Sequence, residues 1–293
     1  MILVTGCTGL VGYSLVRRLI DEGRLVRGFA RNRPNWLDPA VSPMQFYQGS
    51  ILDLGALDAA MEGVEQVIHL VGILVETGRN TFANVHRQGT QNVVDVAKRH
   101  GVRRLIYMSS LGTRPNASSL YHRTKWEAEE CLRHGGVPYT IFRPSVIFGP
   151  RDHFVNQFAR IIRYLPFMPI LGDGQSRMQP VWVEDVVHCV VTALADVTTI
   201  DQTFELGGPE RLSFAEIMET IASAMGKSRV KFFLPMPLLR LEAAILERLL
   251  PRPPLTSDQL IMLREENICD INLMIKTFKI EPRNFREEIR TYL

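Results

Sequence analysis

An α/β fold, with a doubly wound parallel sheet and a smaller, mostly helical C-terminal lobe, is predicted by three features of this sequence. Strand and helix signals alternate through the first half, the order that covers both faces of a parallel sheet with helices. A glycine-rich stretch, MILVTGCTGLVG, joins the first strand to the first helix. After Phe148-Gly149-Pro150 the alternation gives way to prolines, glycines and helical spacing.

Each element has its own warrant. Ile2–Thr5 is a short apolar run that ends in glycine. From Leu10 to Glu22 the apolar residues Leu10, Val11, Leu15 and Leu19 recur at helical spacing, closed by Gly23. Leu25–Ala30 reads as the second strand, Asp53–Met61 as a short helix and Gln66–Leu70 as a buried strand. Thr81–His100 reads as one long helix with Val85, Val93, Val94 and Ala97 inward and Gly101 as its stop. Arg104–Met108 is a strand, Leu120–Arg133 a helix and Tyr139–Phe142 a strand. Beyond these, Phe154–Tyr164 has helical spacing and Pro166–Gly174 is rich in Pro and Gly. Val183–Ala195 (helix) and Thr203–Leu206 (strand) are expected to return to the main sheet. The expected division is therefore residues 1–150 with 180–206 as the nucleotide domain, and 151–179 with 207–293 as the lobe.

Composition narrows the function classes. The 293 residues are 46% hydrophobic and 22% charged, enough for a sizeable globular core. The net charge of +3 is spread out, with no basic run and no aromatic–arginine alternation, so no nucleic-acid partner is expected. Cys7, Cys131, Cys189 and Cys269 are far apart and lack C-x-x-C spacing. Reduced cytoplasmic thiols are expected, with no metal site and no disulfide framework. No signal-peptide pattern opens the sequence, and no stretch reaches the roughly 18 uncharged apolar residues of a membrane span.

The glycines point to a pyrophosphate. At a strand–helix junction, free backbone N–H groups and the helix dipole favour an anion. Glycine lets the backbone turn and approach phosphate closely, and Gly12 lets the helix pack near the strand. Gly6, Thr8, Gly9, Leu10, Val11 and Gly12 are the candidate cradle. The spacing G-x-x-G-x-x-G in this context resembles the short-chain dehydrogenase/reductase superfamily, in its extended or atypical branches, over nearly the whole chain. The resemblance implies a Rossmann-type domain that binds NAD(P).

Several positions refine that expectation. NAD-preferring sites carry Asp or Glu at the end of the second strand; this chain has Arg31 there, with Arg33 nearby. A guanidinium pairs with a 2′-phosphate, so NADP(H) is expected over NAD(H), against the alternative of solvated surface arginines. By resemblance, Ser50 and Ile51 occupy the adenine region, with Ser50 where relatives carry Asp. Leu70, Val71 and Gly72 resemble the segment that wraps the nicotinamide-side ribose. Pro144-Ser145-Val146 resembles the segment beside the carboxamide, which assigns Pro144 and Val146 to the cofactor. His69 lies in an apolar run and reads as a satisfied core histidine. Asn84 resembles the family's helix asparagine, with a structural role near the site.

Tyr121-x-x-x-Lys125 carries the chemistry. Residues i and i+4 share a helix face, and an ammonium beside a phenol lowers the phenol pKa, making Tyr121 a general acid/base. Lys125 would also meet ribose hydroxyls. By resemblance, Ser110 holds the substrate oxygen, with Ser109 as the adjacent alternative. Only ten residues separate Ser110 from Tyr121, fewer than in many sugar-nucleotide epimerases and dehydratases of the extended branch. That reaction is accordingly the least favoured.

The second half narrows the resemblance. Phe148-Gly149-Pro150-Arg151-Asp152-His153-Phe154, Gly172-Asp173-Gly174, Gln179–Val186 and Pro254–Leu260 resemble bacterial relatives of the NADPH-binding accessory subunit of respiratory complex I. Two functions follow. One is an NADP(H)-dependent oxidoreductase acting on a small carbonyl or alcohol, with Tyr121 as proton donor and acceptor. The other is a non-catalytic NADPH-binding accessory or assembly protein, peripheral to the inner membrane surface. Better-known relatives also imply a homodimer. Arg151 and His153 read as groups near the site or as a salt-bridged loop, and Glu184 with Asp185 as helix N-terminal charges. Leu238–Leu250 reads as a core-covering helix, or as a docking face for a respiratory partner or a membrane surface, with Arg240, Arg248 and Arg252 suited to anionic headgroups.

Overall fold

The computed structural model describes residues 1–37, 44–251 and 253–293; Arg252 lies outside them. The elements run β1 (Ile2–Thr5), α1 (Leu10–Asp21), β2 (Val26–Ala30), β3 (Gln45–Gln48), α2 (Leu54–Met61) and β4 (Gln66–His69). A π-helical turn (Ala83–Gln88) leads into α3 (Gly89–Arg99), followed by β5 (Arg104–Met108), α4 (Leu120–Gly135) and β6 (Tyr139–Pro144). Then come β7 (Ile147–Phe148), α5 (Phe154–Tyr164), β8 (Phe167–Leu171), β9 (Arg177–Met178), β10 (Val181–Trp182) and α6 (Val183–Ala195). The chain closes with β11 (Gln202–Leu206), β12 (Leu212–Ser213), α7 (Phe214–Ala224), β13 (Val230–Leu234), α8 (Met236–Leu249), α9 (Ser257–Met262), α10 (Asn272–Phe278) and α11 (Phe285–Glu288).

Seven strands form the main sheet in the order β11-β6-β5-β4-β1-β2-β3. Strand β1 pairs in parallel with β2 and with β4, so the order reverses at β1, the switch point where doubly wound sheets bind ligands. All four residues of β1 are buried, which explains its unbroken apolar run. Helix α1 lays Val11, Leu15, Val16 and Leu19 on the sheet. Asp53 caps α2 through Ala56 N–H, and Ser119 caps α4 through His122 N–H. Leu3, Phe29, Leu57, Val67, Val93, Leu105, Tyr107 and Ile141 belong to one buried cluster that the sheet shares with α2, α3 and α4.

Three expectations needed revision. The long helix from Thr81 is not α-helical at its start: Gly89 N–H bonds Asn84 C=O five residues back, which makes Ala83–Gln88 a π-turn. The Pro/Gly-rich stretch Pro166–Gly174 contains a strand, β8, paired in parallel with β13. Pro169 is tolerated there because the sheet has only two strands, so a residue without N–H breaks no inner ladder. The third strand, expected around Gln48–Asp53, instead ends at Gln48; none of its residues is fully buried, so edge exposure hid it from the apolar pattern.

The chain divides into two compact units, Met1–Arg143 with Val187–Phe204, and Pro144–Val186 with Glu205–Leu293. In the second, buried Asp152 accepts from Gly149 N–H, Val155 N–H and the Tyr292 hydroxyl. Gln179 donates to Gly208 C=O and accepts from Cys269 N–H. Among the described residues no helix is long and apolar enough to cross a membrane.

Gly12 tests the closeness of α1 to β1. A Cβ there would stand 2.3 Å from Gly6 O and 2.7 Å from Cys7 Cα, both backbone atoms that cannot swing away. Gly12→Ala is expected to cost about 1–3 kcal/mol in urea denaturation without any nucleotide. Gly9→Ala, whose Cβ would meet only Gly6 O at 3.5 Å, should cost much less.

Candidate active site

The end of β5 and one face of α4 meet residue by residue. Tyr121, Lys125 and Glu129 are spaced i, i+4 and i+8 and share that face. The Lys125 ammonium donates to Met108 C=O at 2.9 Å and lies 4.9 Å from the centroid of the Tyr107 ring. The Ser109 hydroxyl donates to Glu129 Oε1 at 2.6 Å. The Ser110 hydroxyl donates to Leu111 C=O and shares a hydrogen bond with the Tyr121 hydroxyl. Three consecutive residues of the β5 end are thus held by three side chains of one helix. Of the two serines, Ser109 is committed to Glu129, and Ser110 is the one that meets Tyr121.

Glu129 is fully buried and matched on both oxygens. Arg143 of β6 grips it through Nε (2.8 Å) and Nη2 (2.6 Å), and Arg133 adds a contact at 2.7 Å. Both guanidinium groups lie over the Trp126 ring. This cluster connects β5, α4 and β6.

Electrostatics correct one sequence-based expectation. Tyr121 is pushed up to about 12, because burial penalises the phenolate more than the Ser110 hydrogen bond favours it. Burial also brings Lys125 down to about 7, with the Glu129 charge opposing that fall. The expected lowering of the phenol by Lys125 is not the governing effect: the desolvation that disfavours the phenolate also weakens the cation meant to favour it.

His86 is the site residue that sequence reasoning passed over. Ile73 N–H donates to His86 Nε2 at 3.1 Å, so Nδ1 carries the proton toward Thr124 Oγ1 at 2.9 Å. The ring stacks on Phe82 and meets Tyr121 edge-on at 5.3 Å. Burial, then Lys125, lowers its pKa to about 2. Asn84 instead is exposed and donates to Arg79 C=O. His86 stands four, seven and eleven residues before Thr90, Val93 and Ala97, so regular helical periodicity already places it on the buried face and Asn84 outside. His69 is the satisfied core histidine expected: Thr5 Oγ1 lies 2.6 Å from Nδ1, Thr90 Oγ1 lies 3.1 Å from Nε2, and burial lowers its pKa to about 3.

The glycine loop fits a dinucleotide phosphate. Gly6 takes φ +75°, and Gly9 begins α1 with no side-chain cap and no acidic residue in the first turn. Among the described residues no side chain caps this helix start, which leaves its N–H groups suited to an anion. Gly72 lets backbone pass close to Lys125, since a Cβ would stand 3.1 Å from Nζ. Arg31 is exposed and donates to Asn80 Oδ1 at 3.2 Å; Arg33 lies 5.9 Å over the Phe46 ring. Neither pairs with a carboxylate among the described residues. Thr8 is exposed, Leu10 half-buried, Val11 and Ile51 buried, and Ser50 Oγ accepts from Leu52 N–H. Leu70 N–H bonds Thr5 C=O beside the loop. Pro144 and Val146 belong to the second unit, where Val146 C=O accepts from Val181 N–H and Ser145 Oγ donates to Asn267 C=O. In that unit Arg151 and His153 are exposed, while Asp185 accepts from Arg283 N–H at 2.8 Å in the first turn of α6.

A parallel sheet whose first crossover starts on an uncapped, glycine-turned helix is the Rossmann architecture for dinucleotides. Comparison with known proteins agrees: residues 2–207 match the NAD dependent epimerase/dehydratase family, and the chain belongs to it, as an extended short-chain dehydrogenase/reductase. "NADH dehydrogenase (ubiquinone) 1 alpha subcomplex subunit 9, mitochondrial" of Arabidopsis thaliana is 30% identical over 285 residues, covering 93% of this chain and 70% of that protein. "3 beta-hydroxysteroid dehydrogenase/Delta 5-->4-isomerase" of Mycobacterium tuberculosis is 28% identical, covering 82% and 73%. The fold also matches that of UDP-glucuronic acid 4-epimerase from Bacillus cereus in complex with UDP-glucuronic acid and NAD, with TM-score 0.76 at 20% identity over 99% of this chain and 98% of that one.

Two outcomes test the site's physics. Glu129→Ala leaves the half-buried Arg143 and Arg133 facing each other without their carboxylate and is expected to cost about 2–4 kcal/mol in denaturant titration; Arg133→Ala, the more exposed of the two guanidinium partners, should cost less. His69 and His86 are held neutral, below their ordinary value of 6.5. The unfolded chain therefore takes up protons first, and stability falls as pH drops below about 6.5. The slope approaches about 1.4 kcal/mol per pH unit for each histidine. His69→Gln/His86→Gln should flatten the pH 6 to 4 region of the stability profile by about twice that slope.

Proposed function

We propose that this protein binds NADP(H) and transfers hydride between the nicotinamide and a small carbonyl or alcohol, with Tyr121 donating or accepting the proton. The Ser110–Tyr121 hydrogen bond, with Lys125 one turn on, is the observation that supports this reading. The pyrophosphate would rest on Gly6, Thr8, Gly9, Leu10, Val11 and Gly12. Arg31 and Arg33 would meet the 2′-phosphate, Ser50 and Ile51 the adenine, Leu70, Val71, Gly72 and Lys125 the ribose, and Pro144 and Val146 the carboxamide. When bound, the nicotinamide supplies or accepts the hydride.

Ser110 orients and polarises the substrate oxygen while Tyr121 moves a proton to or from it. A phenol held near pKa 12 is protonated at neutral pH, so it is set to donate. Carbonyl reduction is the direction this favours; alcohol oxidation must first remove that proton and should rise with pH. His86 packs against Tyr121 as a neutral ring and holds its place without adding charge.

A second reading is supported by the Arabidopsis relative, which is named as a subunit of NADH dehydrogenase. In it the chain keeps NADPH as a resident ligand of a respiratory assembly, and Tyr121 does no chemistry.

Mass spectrometry of nucleotides released from natively purified protein separates these readings from an epimerase, which would release NAD. Recovered NADP(H) is expected, and NAD alone overturns the assignment. Tyr121→Phe should lower NADPH consumption against a panel of aldehydes and ketones by about 10²-fold or more, with NADPH affinity nearly unchanged. No turnover in the wild type, with a stable respiratory partner in the preparation, replaces the first reading by the second. Arg31→Ala should weaken NADPH binding about tenfold or more while leaving NADH binding nearly unchanged, read by fluorescence titration.

A further inference from the structure

We propose that the second unit docks on the anionic surface of a lipid bilayer, through the outer stripe of α8, strand β13 and the end of α5 that leads into the paired strand β8.

Of the sixteen large apolar side chains exposed among the described residues, ten lie in residues 164–165 and 230–250. Such concentration is unusual on a surface where single exposed apolar residues are normal. Helix α8 shows how it arises. Leu239 and Ala243 face inward and pack with Leu260 and Leu255. Leu238, Leu241, Ile245 and Leu249 are 54%, 60%, 48% and 72% exposed. At 3.6 residues per turn these four fall within an arc of about 80°, well apart from the buried face. The helix therefore carries a second apolar stripe that the described residues leave exposed.

Strand pairing brings further apolar residues to one edge. Val230 of β13 lies opposite Phe167 of β8, directly after the exposed Tyr164 and Leu165. Phe232 is 52% exposed, and its ring contacts Phe167.

Charge selects the occupant. Residues 157–169 and 223–250 carry seven Lys or Arg and only two Glu, an excess greater than the +3 of the whole chain. Glu247 is turned to the Ser257 N–H and hydroxyl, and Lys231 is paired with Glu219. Arg160, Arg163, Arg240 and Arg248 meet no carboxylate among the described residues. A second copy seated on this face would set like charges against each other. An anionic bilayer offers headgroups for the arginines and an acyl boundary for Leu, Ile and aromatic side chains, the arrangement of an interfacial helix. Long arginine stems can reach the headgroups from beside an inserted apolar stripe.

Vesicle co-sedimentation of the full chain tests this. Phosphatidylcholine vesicles containing phosphatidylglycerol should bind it about tenfold or more tightly than phosphatidylcholine alone, and the difference should shrink in high salt. Leu241→Gln/Ile245→Gln and Arg160→Gln/Arg163→Gln should each weaken that binding about tenfold or more, with the denaturation midpoint and NADPH affinity unchanged. Equal binding to the two vesicle types, or binding to neither, overturns the proposal. So does a concentration-dependent dimer in ultracentrifugation that Leu241→Gln/Ile245→Gln dissociates, which would assign the stripe to a second copy. Loss of a stoichiometric protein partner in that variant, without a vesicle effect, would assign it to that partner.

Discussion

A carboxylate buried without solvent, Glu129, is the constraint on which the site depends. Removing a charge from water is costly, and it persists inside a protein only when well paired and hydrogen-bonded. Here the pairing draws on three elements at once: Arg143 from β6, Arg133 from α4 itself and Ser109 from β5. A slip of α4 along the sheet would leave a buried carboxylate and a guanidinium unmatched. The register of the helix is therefore set two turns away from Tyr121. Lys125 over Met108 C=O and Tyr121 at Ser110 follow from that register.

Depth then sets the proton states. The packing that fixes Tyr121 and Lys125 also withdraws them from water, raising one pKa and lowering the other. Both shifts favour the neutral forms, as desolvation must. Glu129 opposes the shift at Lys125, so the residue that fixes the geometry also helps retain the cation. His86 and His69 meet the same environment and stay neutral within complete hydrogen-bond networks, which keeps added positive charge away from Lys125. Burial likewise pushes Cys7 up to about 11 and Cys269 up to about 12, away from thiolate chemistry.

The second unit follows a different rule. Its interior is held by single polar residues that each serve several backbone groups, such as Asp152 and Gln179. Its exterior instead leaves apolar surface uncovered along α8 and β13, where the first unit buries its apolar helix faces.

Short-range pattern alone was enough for much of this protein. The glycine loop before α1, the alternation of the parallel sheet, the Tyr121–Lys125 spacing and the arginine at the end of β2 are local signals, each set by one strand, one turn or one helix face. The apolar excess of Leu238–Leu250 was visible in the same way. What the tertiary structure decided lies at long range in the chain. The Glu129–Arg143 pair joins two elements, and nothing in the spacing of either residue announces it. His86 shares the helical phase of Val93 and Ala97, but its contacts with Tyr121, Thr124 and Ile73 come from other parts of the chain, and β8 was recognisable only once β13 lay beside it. The pKa of Tyr121 could not be read from its neighbour four residues on, because a pairwise attraction is local whereas desolvation depends on everything packed around the group.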